Sequence, residues 1–356
     1  MIRLLSFIWI LATATNISAC SESSSADDDN NNTTISDGVT LSATTLSLSP
    51  TETANLVATV LPDPTVGITW TTSNDKYVEV FLGTVTAVGV GEATITVTTD
   101  TGYTASCDVS VTVDDYELIW SDEFNGTALD TDTWNIEING NGNGNNESQY
   151  YTDRSENLRV EDGCLVIEAR KENYDWASYT SARITTNGKF DFAYGKIEAS
   201  IDIPAGGGVW PAFWMMGQGS WPSCGEIDIL EYQGNNPGYV IHALHTQAAN
   251  GMDGSNWSSN PAVDGIEEGF HTFGIEWEEC WWDNRDVIRF YVDGVLTAEK
   301  YDPVTTLDNS QWPYYDEFYI LLNFAIGGTL GGTIDNSIFD DELLMKVDYV
   351  RVYQRK

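Results

Sequence analysis

Six residues concentrate the chain's acid chemistry: Glu226-Ile227-Asp228-Ile229-Leu230-Glu231. In an extended strand, alternate side chains leave opposite faces. Ile227 and Ile229 then enter a core, while Glu226 and Asp228 face away together. Strict alternation would turn Glu231 inward, where a lone carboxylate is costly. One extra residue, a β-bulge around Ile229-Leu230, returns Glu231 to the carboxylate face. The row Glu226, Asp228, Glu231 then lies on one side. Glycoside hydrolysis uses two carboxyl groups flanking the scissile bond. Four strand steps separate the two Glu Cα atoms by about 13 Å. Side chains leaning together on a curved strand can close that to the roughly 5–5.5 Å of a retaining enzyme. Asp228 between them raises the proton affinity of a neighbour, as an acid/base group near neutral pH requires. The same row also reads as an acidic strand face turned to water. No histidine flanks it at metal-ligand spacing.

The neighbouring segments favour the chemical reading. In Val209-Trp-Pro-Ala-Phe-Trp-Met-Met216, Trp210 and Trp214 share one parity, and Val209, Phe213 and Met215 the other. Two tryptophans on a non-core face are a stacking platform for sugar rings, although Trp also suits a core. In Tyr319–Ile326 the even positions Ile320, Leu322, Phe324 and Ile326 are large and apolar. Asn323 points the other way, toward a hydroxyl.

These residues must be held by sheets. The 356-residue chain has 42% hydrophobic and 12% aromatic residues, abundant Gly and little helical periodicity, which implies an all-β protein of about two domains. Its formal charge is −38, with 54 acidic and 16 basic residues. That balance excludes nucleic acid as a partner and disfavours anionic membranes and highly sulfated polysaccharides. Residues 38–113 carry short Thr/Val-rich alternating runs such as Ala93–Thr99, separated by turns, as in a small β-sandwich. Trp70 is read as core there. Asp114-Asp115 marks a boundary, and 116–356 forms the larger β unit. Gly195–Ile203 alternates cleanly, with Ile197, Ala199, Ile201 and Ile203 on one face. Asp293-Gly294 reads as a hairpin turn.

Residues 1–19 read as an export signal too short to span a bilayer. Ile17-Ser-Ala-Cys20 resembles a bacterial lipobox, which implies lipid on Cys20. Residues 20–37 form an acidic tether unable to fold alone. The acidic stretch after Cys20 resembles surface-export signals of Bacteroidetes-type lipoproteins. A lipoprotein at the outer surface of such a Gram-negative cell, or a secreted protein, is expected, with membrane contact only through Cys20. Cys107, Cys164, Cys224 and Cys280 form no CxxC pair. Export permits disulfides, but buried free thiols are the expectation for most of them.

Several segments together resemble glycoside hydrolase family 16, laminarinase-like branch, over nearly all of 117–354: Trp120–Gly126, Asn146–Thr152, Tyr179–Ile184, Trp210–Trp214, Gly225–Glu231 with its extra residue, and Val347–Tyr353. The 38–113 unit resembles the bacterial immunoglobulin-like group 2 family, expected as a spacer. The first resemblance implies a β-jelly roll whose concave face is a glycan cleft, and retaining endo-hydrolysis of β-1,3-glucan by a monomer. Glu226 takes the place of the nucleophile, Asp228 of the assisting carboxylate and Glu231 of the acid/base. Arg183, Trp210, Trp214 and His245 match cleft-lining positions. Asn145 and Asn146 lie in a loop that reaches the cleft. Leu230 replaces a common Met. No catalytic cofactor is implied, but a structural Ca²⁺ is, at Glu123, the Gly163 carbonyl and Asp348. Parity supports it independently. Asp348 alternates with Val350 and Val352, and a carboxylate on a core face needs a partner. Mixed-linkage β-1,3-1,4-glucanase, agarase- or carrageenase-like action, transglycosylation and non-catalytic glycan binding are the competing functions. Exo versus endo action is not legible.

Overall fold

The computed structural model describes residues 38–112, 116–279, 285–303 and 308–355. The export signal, the tether with Cys20, the Asp114-Asp115 boundary and Cys280 lie outside these residues. Among the described residues, helix is confined to three short turns, Gly142–Gly144, Gly328–Gly331 and Asn336–Phe339. Among the described residues, no helix is long and apolar enough to cross a membrane.

Residues 38–112 form three small sheets of two, four and three strands. Val78, Val85, Ile95, Cys107 and Val109 pack between them. Trp70 is half-buried against this cluster and a second one around Val39, Val60 and Val97.

From Tyr116 onward two large sheets face each other. One runs in the order Asn135–Ile136, Arg183–Thr185, Phe318–Ile326, Val209–Gly217, Glu226–Glu231, Ile241–His245, Trp257–Ser259. The other includes Gly195–Asp202, Phe270–Glu278 and the long final strand Leu343–Arg355. Alternation builds the core between them. Ile197, Ala199, Ile201 and Ile203 meet Phe213, Met215, Ile227, Ile320, Leu322 and Phe324, all buried. Burying a large apolar side chain contributes roughly 1.5–3 kcal/mol, so the non-core parity is left free for polar work. The Asp293-Gly294 turn forms as expected, with both residues at positive φ, 50° and 74°. Cys107, Cys164 and Cys224 are free thiols.

The final strand corrects one expectation. Val350 and Val352 are buried, but Asp348 is exposed. Ser200 pairs with Tyr349 and Ile201 with Val347, so Asp348 is the residue the ladder skips. A bulge breaks parity, and the buried-carboxylate argument for Ca²⁺ fails. The three named positions still converge. On its other edge the strand pairs with Cys164–Tyr174 up to Val347 and with Tyr116–Asp122 from Val350 onward. Gly163, Glu123 and Asp348 border the gap between. The Glu123 carboxylate is held at both oxygens by Arg351, at 2.9 and 2.7 Å. It does not fit a cation as it stands.

Candidate active site

The strand Glu226–Glu231 lies between Val209–Gly217 and Ile241–His245. Gly225 introduces it at φ 81°, and a Cβ there would come within 2.7 Å of Pro313 and 2.9 Å of Phe318. Only glycine fits that entry. The bulge forms where parity requires it. Phe213 pairs with Leu230 and Trp214 with Asp228, which leaves Ile229 unpaired on that side. Ile227, Ile229 and Leu230 are all buried in the core. Glu226, Asp228 and Glu231 share the opposite face.

His242 secures the bulge. It is fully buried, and burial pushes its pKa down to about 4. The neutral ring donates from Nδ1 to the Ile229 carbonyl at 2.7 Å. A bulge takes such a carbonyl out of the regular ladder, so it needs another donor. On the far side, the buried Tyr314 hydroxyl lies 3.2 Å from the Glu226 carbonyl and 3.0 Å from the His245 carbonyl. It ties the two strands together at the site.

The carboxylates sit in a weakly solvated trough. Asp228 is 3% exposed, and its Oδ2 has no hydrogen-bond partner. That oxygen is 3.2 Å from His245 Nε2 but out of line for a hydrogen bond. Glu226 Oε1 is 3.6 Å from the same nitrogen. Glu226, Asp228 and His245 bring ligand atoms within 4.8 Å of one another, a spacing a cation can bridge. However, the Gly251 N–H donates to His245 Nδ1 at 3.0 Å. Neutral His245 therefore carries its proton on Nε2, facing the carboxylates, where a metal would need a lone pair. The cluster is arranged to hold protons. Burial, then repulsion from Asp228, pushes Glu226 up to about 8 and Glu231 up to about 8. Burial also raises Asp228. His245 opposes the rise at both glutamates, and Arg183 at Glu226.

The expected cleft residues gather beside this row. Trp210 donates from Nε1 to Glu231 Oε1 at 3.0 Å. Trp214 donates to Asn323 Oδ1 at 2.7 Å, and Arg183 lies over the Trp214 ring at 4.9 Å. Arg183 also pairs with Glu137 at 3.0 Å. Arg183 thus covers part of the Trp214 ring that was expected to be open for stacking. Asn323 is 5% exposed, and its amide nitrogen donates to the Tyr151 hydroxyl at 3.2 Å. Both ends of Asn323 hold neighbouring side chains, so it positions Trp214 rather than standing open to a hydroxyl. Asn145 is part-buried, and its carbonyl accepts the Thr329 N–H at 2.8 Å. Asn146 is exposed at φ 56°. Neither side chain hydrogen-bonds to the carboxylate row.

Several residues escaped the sequence reading. Glu147 is a buried carboxylate whose Oε2 accepts from Gln149, Tyr151 and Asn143 at 2.6, 3.0 and 3.1 Å. Glu147, Tyr151, Asn323 and Trp214 form one hydrogen-bonded chain, which reaches the carboxylate strand where Trp214 pairs with Asp228. Trp221 is 38% exposed, with its ring 6.0 Å from that of His245. Only its presence beside Pro222, ahead of the carboxylate row, marks it in the sequence.

Comparison with known proteins is consistent with this geometry. The profile of "Glycosyl hydrolases family 16" matches residues 145–323. A second profile, "Beta-glucan synthesis-associated protein SKN1/KRE6/Sbg1", matches 45–225. A beta-glucanase of Rhodothermus marinus is 40% identical over 254 residues, covering 67% of this chain and 85% of that protein. The laminarinase structure from Flavobacterium sp. UMI-01 superposes with TM-score 0.61 at 42% identity, over 67% of this chain and all of the other. SCLam, a non-specific endo-beta-1,3(4)-glucanase, superposes with TM-score 0.63 at 37% identity, over 68% of this chain and 92% of the other.

Proposed function

The chain belongs to family 16 of the glycosyl hydrolases, and we propose that it cleaves β-1,3-glucan of the laminarin type internally, with retention of configuration. The observation that carries this reading is the bulged row, which sets Glu226, Asp228 and Glu231 on one face beside Trp210 and His245. Three charges cannot share so buried a trough near neutral pH. Arg183 as well as His245 favours a charge on Glu226, which is the group that must be ionised to attack. Glu231 keeps its proton, one oxygen held by Trp210 and the other free to donate. Glu226 attacks the anomeric carbon as Glu231 protonates the departing oxygen. A covalent glycosyl-enzyme forms. Glu231 then takes a proton from water, which displaces Glu226 and regenerates both groups. Burial, and then the neighbouring Asp228, keep the proton affinity of Glu231 high.

Glu226→Ser tests the assignment. Turnover of laminarin should vanish while binding persists, and wild-type product should appear first as the β-anomer by proton NMR. Undiminished hydrolysis by the variant overturns it. The likeness to SCLam supports mixed-linkage glucan as a second substrate. A panel of laminarin, cereal β-glucan, agarose and carrageenan separates these specificities, and product sizing at high substrate concentration reveals transglycosylation. Retention of all three carboxylates argues against a purely binding role.

We further infer the setting. Cys20 anchors a monomeric enzyme to the outer cell surface through lipid. Residues 20–37 and the immunoglobulin-like 38–113 unit hold the cleft away from the membrane. A structural Ca²⁺ sits at the gap beside Asp348 and the Gly163 carbonyl, with Glu123 held off by Arg351. Cys20→Ala should release the protein from the membrane fraction, and chelation should lower the melting temperature without touching the carboxylate row.

A further inference from the structure

Trp176 stands where the fold asks for no aromatic residue. It is the second residue of the Asp175-Trp176 turn joining Cys164–Tyr174 to Ala177–Ser181, with Tyr174 paired to Ala177 and Asp175 at φ 52°. The positive φ of the first turn position favours Gly, Asn or Asp, and Asp175 supplies it, so nothing in the turn calls for a Trp at the second. The side chain is 60% exposed, against 38% for Trp221. It is nevertheless backed. A Cβ on Gly140 would come 3.0 Å from Trp176 Cζ2 and 2.4 Å from Tyr150 Cδ2, so Gly140 packs against both rings. Tyr150 in turn leans on Tyr174, with ring centroids 5.1 Å apart. The result is a buttressed aromatic ledge open to solvent.

The ledge is joined to the cleft through the chain. Gly140 begins a loop whose Asn145 carbonyl is tied to Thr329, in the turn Gly328–Gly331. A Cβ on Gly331 would meet Trp210 Cβ at 3.4 Å, and Trp210 is the residue bonded to Glu231. From Gly140 to Asn145 is five residues, at most about 18 Å of chain. A neutral polysaccharide is not repelled by a chain of net charge −38.

We propose that Trp176, backed by Gly140 and Tyr150, is a distal platform for the β-glucan chain, engaged by polymer and not by short oligosaccharides. The proposal rests on reading the cleft as a β-glucan site. Its test compares full-length wild type, Trp176→Ala and Trp176→Tyr on laminarin and on laminaritetraose. In Trp176→Ala the laminarin KM should rise about 5-fold, as for one lost stacking contact. Its kcat, and all constants for the tetraose, should stay unchanged. Trp176→Tyr should restore most of the polymer KM. Equal effects on both substrates, or an unchanged laminarin KM, overturn the platform alone. A wild type inactive on both overturns the reading of the cleft, and the platform with it.

Discussion

Glu226→Gln should make the protein more stable, and by an amount that grows with pH. The Glu226 side chain is 17% exposed, and burial with Asp228 nearby raises its pKa from 4.5 to about 8. The folded state therefore holds this proton more tightly than the unfolded chain does. Stability from this group is fully present below about pH 4.5 and is lost as pH climbs toward 8. Treated as an isolated group, the loss has a ceiling of about 1 kcal/mol at pH 5 and about 4 kcal/mol at pH 8. Coupling to Asp228 and Glu231 reduces it to roughly 1–3 kcal/mol over that interval. Glutamine keeps the shape, stays neutral and offers an oxygen to His245. Urea unfolding of the wild type and the variant, followed by tryptophan fluorescence at pH 5, 6.5 and 8, measures the difference. A stability difference that stays flat within about 0.5 kcal/mol across these pH values would refute the buried-charge account of the site.

The activity profile should fall on its alkaline side near pH 8, where Glu231 gives up its proton. Asp228→Asn removes the charge that raises Glu231, so that limb should move to lower pH in a kcat/KM profile. His242→Leu orphans the Ile229 carbonyl and should cost about 1–3 kcal/mol of stability, with a loss of kcat well beyond any change in KM. Asn323→Leu leaves the Trp214 N–H unpaired and removes the donor to the Tyr151 hydroxyl, which still donates to Glu147. It should raise KM about 10-fold, for roughly 1–2 kcal/mol of lost positioning, with the pH profile unmoved.

Much of this site was legible because a strand has a period of two. Alternation alone placed Ile227 in the core and Glu226 with Asp228 outside it, and it demanded a bulge before Glu231. The same rule separated Trp210 and Trp214 from Phe213 and Met215. It failed at Asp348, since a bulge in the last strand is invisible when only one side of the pairing is known. Partners distant in sequence were also beyond reach. Nothing near His242 announces the Ile229 carbonyl, and nothing in Asn146–Thr152 reveals that Glu147 reaches Trp214 through Tyr151 and Asn323. The last two of those links, Tyr151 to Asn323 and Asn323 to Trp214, join residues more than a hundred positions apart.

The bulge also has a consequence for how this sequence can change length. Removing Leu230 alone would leave Glu-Ile-Asp-Ile-Glu, in which simple alternation still sends every acid to the same side. A single-residue deletion at this point does not invert the pattern, as it would almost anywhere else in a sheet. The motif thus has two permitted lengths, joined by one in-frame step. What the longer form adds is a spare carbonyl for His242 and a sharper local twist. The last acid can therefore be re-aimed within the cleft without passing through a sequence that buries it.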